Sequence, residues 1–506
     1  MISADVTRLR PGASVPLAGL PRLDFSAFRN ALLAAVAAEA RVVSLFGHPA
    51  AEGLDLYAVL ARDEEGELTL LQTRVRESFP SLTPACPQLH LFERELAEQY
   101  GVCPQGHPWL KPVRFQRRWP GADDIRGGKD ECRPLPGDMD FYRVEGAAVH
   151  EVAVGPVHAG VIEPGHFRFQ CHGEEVMHLE ISLGYQHRGI EQLLRGGPQP
   201  ASIQQIETAA GDTTIGHACA YSQLIESLAG IAAPPRALAI RAIALELERL
   251  ANHVGDIGGL ATDVGFLPTA AFCGRLRGDY LNLTAELCGS RFGRSLVRPG
   301  GVLFDLDPAR VEAMAQRLQQ LAEETRGAIE LCFDSPSVLA RFEGVGRVTA
   351  ADAADLGLVG VAARASGLVR DARLHDLLQD SVPRFDTPVI ETDGDVFARA
   401  NVRRREIDVS HRLIAETLQR LPAGELRTPL LALAPDSLAL ARCEGWRGEI
   451  VHVGITDARG RLARYKIVDP SFHNWSGLAL ALRGEQISDF PLCNKSFNLS
   501  YCGFDL

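Results

Sequence analysis

The feature that most constrains this fold is a break in apolar periodicity between residues 116 and 147. The stretch "RRWPGADDIRGGKDECRPLPGDMDFYRVEG" is rich in glycine, proline and charge, and it offers no apolar face for a core. A chain of 506 residues is also too long for one hydrophobic core. We therefore expect a domain at residues 1–115, a linker at 116–147 and a larger domain at 148–506.

The first domain shows a mixed pattern. "ALLAAVAAEA" predicts a helix, and "LDLYAVLARDEEGELTLLQTRV" predicts a hairpin whose two β-rich runs flank an acidic turn. "LHLFERELAEQYGV" predicts a second helix that ends at Gly101. These elements favour a small α/β domain.

The larger domain is dominated by helical periodicity. Ile243, Leu247, Leu250 and Val254 follow one another at spacings of 4, 3 and 4, which places them on one helix face. Asp307 before a proline predicts the start of another long helix. "VAVGPVHAGVIEPGHFRFQCHGEEVMHLEISLGY" alternates as strands do. The expected class is α+β, with a helical core and peripheral β-ribbons.

Composition excludes several classes of function. The formal net charge of −12 argues against nucleic acid as a partner. No apolar run reaches the roughly 18–20 residues of a membrane span. The first twenty residues lack the apolar core of a secretion signal. The eleven cysteines lie more than four residues apart, whereas zinc and iron–sulfur ligands usually come in close pairs. We expect no metal site built by this chain alone.

Several separate motifs resemble one family. "GPVHAGVIEPGHFRF", "GYQHRGIEQLL", "RAIALELERLANHVGDIG", "RPGGVLFDL", "VAARASGLVRDAR" and "ALRGEQISDFPL" resemble, in order, the large subunit of membrane-linked nickel–iron hydrogenases and the 49-kDa-type subunit of complex I. "FERELAEQYGVCPQGHPWL" resembles the 30-kDa-type complex I subunit. Their fusion resembles the formate-hydrogenlyase large subunit. The resemblance covers almost the whole chain.

The resemblance implies that a metal site has been lost. In the hydrogenases two C-x-x-C pairs hold nickel and iron. Here the four cysteine positions fall on Ala210, Thr213, Ser500 and Gly503, while Cys502 is one residue out of register. A nickel–iron centre depends on soft thiolate ligands. The resemblance therefore implies a metal-free frame.

Complex I uses the same cavity for a quinone headgroup, and the match to its quinone site is partial. Its quinone-binding tyrosine aligns with Gly211. Its aspartate, which partners a histidine, aligns with Asp263. His158 and His166 lie in the strand loop that carries this histidine in the family. The resemblance implies that His158, His166 and Asp263 carry the chemistry.

The loop at 210–217 has two interpretations. Asp212 and Thr213 either relay protons or cap the following helix. His217 is either structural or active in the cavity. Glu246 and Glu248 are expected near a proton path by the same resemblance.

The remaining candidates lie further along the chain. Arg364, Asp371 and Arg373 form either a surface ion-pair cluster or a wall of the cavity. Tyr501 carries a phenol that could replace the missing tyrosine.

The resemblance implies a subunit of a complex I-like oxidoreductase, peripheral on the cytoplasmic face of the plasma membrane. Its expected partners are an iron–sulfur small subunit that holds a [4Fe–4S] cluster, ferredoxin-like subunits and antiporter-like membrane subunits. The chain itself is expected to bind no cofactor, and its expected substrate is a quinone or similar carrier. The alternative is a scaffold that connects an electron-input module to an ion-pumping arm. A working nickel–iron hydrogenase is disfavoured by the missing ligands.

Overall fold

The structure is a computed structural model that describes residues 6–10, 12–119, 139–158, 162–375 and 382–506. Helices account for 44% and strands for 20%, so the α+β class is confirmed. The strands are β1 (Thr7–Leu9), β2 (Ser14–Pro16), β3 (Arg22–Leu23), β4 (Arg41–Ala50), β5 (Gly53–Arg62), β6 (Glu67–Val75), β7 (Ser78–Pro80), β8 (Cys103–Gln105), β9 (Val149–Val154), β10 (His166–His172), β11 (Glu175–Ser182), β12 (Val297–Arg298), β13 (Gly301–Val302), β14 (Ser437–Glu444), β15 (Glu449–Thr456) and β16 (Leu462–Val468).

The helices are α1 (Phe25–Ala37), α2 (His90–Tyr100), α3 (Ile190–Leu193), α4 (Ser202–Ile206), α5 (Thr214–Ala229), α6 (Pro235–Asp263), α7 (Leu267–Cys288), α8 (Pro308–Phe333), α9 (Pro336–Phe342), α10 (Ala350–Asp355), α11 (Gly360–Ala365), α12 (Val396–Gln419), α13 (Pro470–Ala481), α14 (Phe490–Phe497) and α15 (Tyr501–Asp505). Both predicted helices of the first domain are present. Gly101 ends α2 in the left-handed conformation, with φ 70°, which glycine adopts without steric cost.

The first sheet has the strand order β1-β6-β5-β4, and β3 adds in parallel to β6. The predicted hairpin is β5 and β6, paired antiparallel from Leu54–Val75 to Arg62–Glu67. A three-stranded sheet, β11-β10-β9, contains the predicted strand loop.

Helices α6, α7, α8 and α12 pack into a bundle. Ile243, Leu247, Leu250 and Val254 are fully buried in it, as their spacing predicts. The side chain of Asp307 accepts a hydrogen bond from the Arg310 amide and begins α8. This apolar bundle is the rigid support for the loops described below.

A second sheet, in the order β16-β15-β14-β2, connects the two ends of the chain because Ser14–Pro16 pairs with Ser437–Ala439. Buried charges also join the two halves. Arg41 contacts Glu449 at 2.8 Å, and Lys466 contacts Glu95 at 2.7 Å. The division at 115 stays a prediction, and much of the linker lies outside the described residues.

Candidate functional site

The two loops that align with the lost cysteine pairs come together in the structure. Residues 210–213 precede α5, and residues 500–503 begin α15. The guanidinium of Arg188 donates to the carbonyls of Thr208 and Ala209 in the first loop, and to that of Cys502 in the second at 3.4 Å. The amide of Gly211 also donates to the Cys502 sulfur. The two segments that the resemblance implies as the frame of a metal site are therefore joined by Arg188.

Arg447 holds this frame together. Its guanidinium donates two hydrogen bonds to the Asp212 carboxylate, at 2.6 and 2.8 Å, and a third to the Asn498 carbonyl. Arg447 is 5% exposed, and its guanidinium lies 3.9 Å from the centre of the Trp446 ring. Burial opposes its charge, but Asp212 raises the pKa of Arg447 above its ordinary value. A cation fixed by the protein thus connects the two loops.

A tight turn between β14 and β15 positions Arg447. Gly448 has φ 143°, and a Cβ atom there would lie 2.8 Å from the Gly360 backbone, so only glycine fits. Trp446 is buried beneath the turn, and its indole N–H donates to the Thr213 hydroxyl at 3.1 Å. Thr213 makes no side-chain cap to α5. The capping interpretation of Asp212 and Thr213 is therefore replaced by their contacts with Arg447 and Trp446.

The residues at the four cysteine positions do not fit a nickel–iron centre. Ala210 has no donor atom, and the Ser500 hydroxyl accepts a hydrogen bond from the Gly503 amide at 2.9 Å. A Cβ atom at Gly503 would lie 2.7 Å from the Asp469 carboxylate, so a cysteine there needs that carboxylate to move. Within the described ranges, no group of three or more His, Cys, Asp or Glu side chains could hold a metal ion. We derive no step through such a centre.

A buried hydrogen-bonded chain begins at that carboxylate. His217 Nε2 lies 3.1 Å from Asp469, and His217 Nδ1 lies 3.1 Å from His452 Nε2. His452 Nδ1 lies 2.7 Å from the Tyr465 hydroxyl. All four side chains are at most 1% exposed. Contacts of this length support proton transfer between neighbouring groups.

The pKa shifts set the direction of this chain. Burial, together with His217, holds the pKa of His452 well below its ordinary value, and burial raises that of Tyr465 well above it. Burial raises the pKa of Asp469, but the contacts with His217, the Arg447 charge and the Ser471 amide together outweigh it, and the net shift is downward. With Asp469 ionised and both histidines neutral, one pattern satisfies every contact. Tyr465 donates to His452, His452 to His217, and His217 to Asp469, so every donor points toward Gly503.

Arg364, Asp371 and Arg373 are buried, so the interpretation as a surface cluster is wrong. Arg364 is fully buried and contacts Glu444 and Glu406, each at 2.8 Å. Arg373 contacts Asp371 at 2.7 Å and Glu406 at 2.8 Å. Burial and the Asp371 charge raise the pKa of Glu444 to about 7. The cluster therefore holds a carboxyl group that can exchange a proton near neutral pH.

This cluster reaches the Arg447 turn through α6. Arg249 contacts Glu246 at 3.1 Å and donates to the Gly445 carbonyl at 3.0 Å. His253 lies 2.8 Å from Glu406, but burial lowers the pKa of His253 to about 4. Glu246 is thus part of a structural network behind the loops, and its place on a proton path stays a prediction.

Glu248 caps α5 in place of the loop residues. Its carboxylate accepts from the amides of Ile215 at 2.7 Å and Gly216 at 3.1 Å. Burial, with a smaller contribution from Asp212, raises the pKa of Glu248 to about 8 despite these two donors. A carboxyl group that titrates near neutral pH therefore lies directly beneath the first loop.

The strand loop lies against the second cysteine loop, and its two histidines differ. The Glu163 carboxylate accepts from the Tyr501 amide at 3.3 Å. His166 Nδ1 donates to the Gly155 carbonyl at 3.0 Å, and its Nε2 accepts from Arg168 at 3.2 Å. His158 Nε2 is buried and has no partner among the described residues. Of the two, only His158 has a ring nitrogen free for a ligand.

Asp263 and Tyr501 do not take the expected positions. Asp263 lies exposed at the end of α6, and no hydrogen bond or ion pair within the described ranges joins it to His158 or His166. Burial raises the pKa of Asp263, and the charge that opposes this shift is Lys495. Tyr501 is 6% exposed and packs against Trp475 at 4.9 Å between ring centroids. The catalytic roles of these residues stay predictions.

Sequence reasoning missed the residues that hold the site together, which are Glu163, Arg447, His452, Tyr465 and Asp469. Asp469 stands before Pro470, the same signal that predicts the start of α8 at Asp307. That signal points only to capping, which Asp469 also performs. Arg447 had a usable signal as well, because "EGWRGEI" places it between two glycines in a short connection between apolar runs.

Comparison with known proteins agrees with this geometry. The family model described as "Respiratory-chain NADH dehydrogenase, 49 Kd subunit" matches residues 263–435, and "Respiratory-chain NADH dehydrogenase, 30 Kd subunit" matches residues 33–129. Formate hydrogenlyase subunit 5 of Escherichia coli is 30% identical over 88% of this chain and 81% of its own length.

Two further relatives represent the two sides of the resemblance. Carbon monoxide-induced hydrogenase of Rhodospirillum rubrum is 32% identical over 69% of this chain and 98% of its own length. NADH-quinone oxidoreductase subunit 4 of Thermus thermophilus is 32% identical over 66% of this chain and 89% of its own length. The chain thus belongs to the family of the complex I 49-kDa subunit and the related hydrogenase large subunits, with a 30-kDa-type domain fused in front.

Proposed function

We propose that this chain forms the metal-free reaction cavity of a complex I-like oxidoreductase and passes electrons and protons to a quinone or similar carrier. The relatives are oxidoreductase subunits, which supports the general class. The observation that carries the proposal is the hydrogen-bonded chain from Tyr465 to Asp469, whose donors all point to the vacated ligand position at Gly503.

The reaction requires both electrons and protons. A quinone takes up two electrons and two protons to become a quinol. The electrons would come from a [4Fe–4S] cluster in an iron–sulfur small subunit. The protons would pass along this chain's own groups, from Tyr465 through His452 and His217 to Asp469, whose oxygens lie beside Gly503. General acid–base transfer of this kind needs each pair within hydrogen-bonding reach, as here.

Room for a carrier lies beside Gly211. This glycine is exposed, and a Cβ atom placed on it would meet no other atom within 4 Å. Asp212 is about one third exposed on the same loop, and Glu248 lies beneath it. An open position bordered by titratable groups is the arrangement that favours a redox cavity over a filled one.

A scaffold role is the second candidate, and one observation favours it. Arg447 and Asp469 occupy the space between the two loops and hold them without any ligand. In this reading the chain connects an electron-input module to an ion-pumping membrane arm and transfers no protons. Ferredoxin-like and antiporter-like subunits are proposed partners in both cases.

The proposed location is peripheral, on the cytoplasmic face of the membrane. Across the described residues, no helix is long and apolar enough to span a bilayer. One relative is described as a membrane-bound hydrogenase subunit alpha. Contact with the membrane would therefore come through partner subunits.

The two candidates are separated by a matched pair of tyrosine variants in the assembled complex. Tyr465→Phe removes the hydroxyl at the start of the proton chain. Tyr280→Phe removes an equally buried hydroxyl that lies 2.9 Å from His411 in the helical bundle. Electron flux from reduced methyl viologen to decylubiquinone should fall roughly a hundredfold in the first variant and little in the second. Equal flux in both intact complexes would favour the scaffold.

A further inference from the structure

A second cleft lies between the 30-kDa-type and 49-kDa-type parts of the chain. It has a volume of about 590 Å³, which is within the range of small-molecule sites. Its wall includes Trp109 and Tyr142, whose rings meet edge to face with centroids 6.0 Å apart. His178 packs on Tyr142 at 4.7 Å. The side chains of Trp109 and Tyr142 are 38% and 48% exposed. They present flat apolar surface to the cleft.

One residue that lines the cleft carries a donor without an acceptor. Trp475 lines it and is 3% exposed, and its indole N–H is buried with no partner among the described residues. A buried N–H that makes no hydrogen bond costs about 1–3 kcal/mol. The indole ring is fixed between Phe167 and Tyr501, with centroids 6.1 and 4.9 Å away. A ligand that brings an acceptor atom would satisfy this group.

The cleft also contains a cation that makes no direct ion pair among the described residues. Arg94 donates to the carbonyls of Lys111 at 2.7 Å and Pro112 at 2.9 Å, and it forms no ion pair with any described residue. Burial lowers the pKa of Arg94 to about 10, although the charges of Glu180 and Glu98 oppose this shift. The nearby Glu180 carboxylate is already engaged by Lys111 at 2.5 Å and by the Trp109 indole at 3.1 Å.

We propose that this cleft binds a planar aromatic anion. The ring would stack on Trp109 and Tyr142, the negative group would pair with Arg94, and an acceptor atom would take the Trp475 N–H. Two sources share this chemistry, an aromatic carboxylate or sulfonate and a nucleotide. Asp352 and Asp355, also on the wall, would oppose a ligand of high negative charge. The proposal does not depend on the reaction proposed at Gly211.

Binding is tested on the purified full chain by isothermal titration calorimetry with two matched pairs of probes. Naphthalene-2-sulfonate is compared with neutral 2-naphthol, and AMP with adenosine. We expect one of the anions to bind at a single site, about tenfold more tightly than its neutral counterpart, because a charged acceptor strengthens the contact with a guanidinium. Preference for the sulfonate identifies an aromatic acid, and preference for AMP identifies a nucleotide.

Substitutions then locate the site. Trp109→Ala and Tyr142→Ala alter exposed side chains, so the fold should tolerate them, and each should weaken binding roughly two- to tenfold. Arg94→Gln should remove the preference for the anion over its neutral counterpart. Phe272→Ala is the control, because this ring is 52% exposed on α7 and does not line the cleft. Absence of saturable binding by both anions overturns the proposal, as does unchanged binding in both aromatic variants.

Discussion

Arg447 and Asp212 form a two-pronged ion pair, with Nη1 2.6 Å from Oδ1 and Nη2 2.8 Å from Oδ2. The same guanidinium reaches the Asn498 carbonyl near the second loop. This single side chain therefore connects two loops that lie far apart in sequence.

Removing this cation should loosen both loops. Arg447→Ala leaves Asp212 without its partner, and because Asp212 is one third exposed we expect a cost of about 2–3 kcal/mol, below the range for fully buried pairs. Arg447→Lys should lose part of this stability, since a lysine ammonium group cannot bind both Asp212 oxygens in a fork. Denaturant unfolding measures the effect. Arg461→Ala, which breaks an exposed pair with Asp457, is the control and should change little. Equal losses of unfolding free energy in Arg447→Ala and Arg461→Ala would contradict the role of Arg447 in connecting the loops.

Two glycines in the two loops should differ in how well they tolerate a methyl group. Gly503→Ala drives a Cβ atom against Asp469, and we expect a net cost of about 1–2 kcal/mol after the gain in helix propensity. Gly211→Ala enters open space and should stay within about 0.5 kcal/mol. Thermal unfolding compares them. The same contact blocks a thiolate, so elemental analysis should find far less than one nickel per chain, and stoichiometric nickel would refute this account.

The two histidines of the strand loop should separate function from stability. His166 uses both ring nitrogens within the protein, so His166→Ala should lower the free energy of unfolding by about 1–3 kcal/mol. His158 has a free nitrogen, so His158→Ala should reduce electron flux to decylubiquinone while the complex stays assembled. Flux and melting temperature are measured for each. A His158 variant that unfolds but transfers electrons normally would reverse this assignment.

Acid should destabilise the bundle through His411. Burial lowers the pKa of His411 to about 4, from an ordinary value of 6.5. The unfolded chain therefore binds the proton first as pH falls, so stability is complete above pH 6.5 and is lost progressively toward pH 4. His411→Gln should flatten this dependence by up to about 1.4 kcal/mol per pH unit. Urea unfolding of both proteins from pH 4 to 7.5 measures this pH dependence of stability. His172→Gln, at the exposed end of β10, is the control and should change the slope little.

Residues 1–115 should fold as a separate fragment. They contain a five-stranded sheet with α1 and α2, and the buried Glu95 keeps Arg114 as its partner even without Lys466. Expression of this fragment should give cooperative unfolding at a lower temperature than the full chain. A disordered circular dichroism spectrum would place the boundary elsewhere.

Helices with one apolar face could be predicted from the sequence, whereas elements buried on both faces could not. The spacing from Ile243 to Val254 predicts α6 because its apolar residues repeat at the helical period of 3.6, while polar residues such as Glu246 and Arg249 are buried on its other faces. Strands β14 and β15 are buried along their whole length, so they lack the alternation that marks a half-exposed strand.

The site shows a similar division. The aligned cysteine positions locate the two loops, but the contacts within them depend on residues more than 200 positions away. The glycines around Arg447 mark a short connection, but they do not predict that Arg447 is buried on Asp212 while Arg461 is exposed beside Asp457. The burial of Arg364 also followed from tertiary packing alone, since Glu406 and Glu444 lie on other elements. Sequence patterns therefore do not predict which distant charged residues pair with one another in the site.

The pairing of Ser14–Pro16 with Ser437–Ala439 has a consequence for synthesis of the chain. The N-terminal strand is made first, but its partner leaves the ribosome some 420 residues later, which takes about 20–80 s at ordinary translation rates. During that time the edge of this strand is open to other chains. Its length of three residues and its terminal proline, which donates no backbone hydrogen bond, limit what it can recruit. The brevity of β2 therefore protects the nascent protein from aggregation until the second sheet exists.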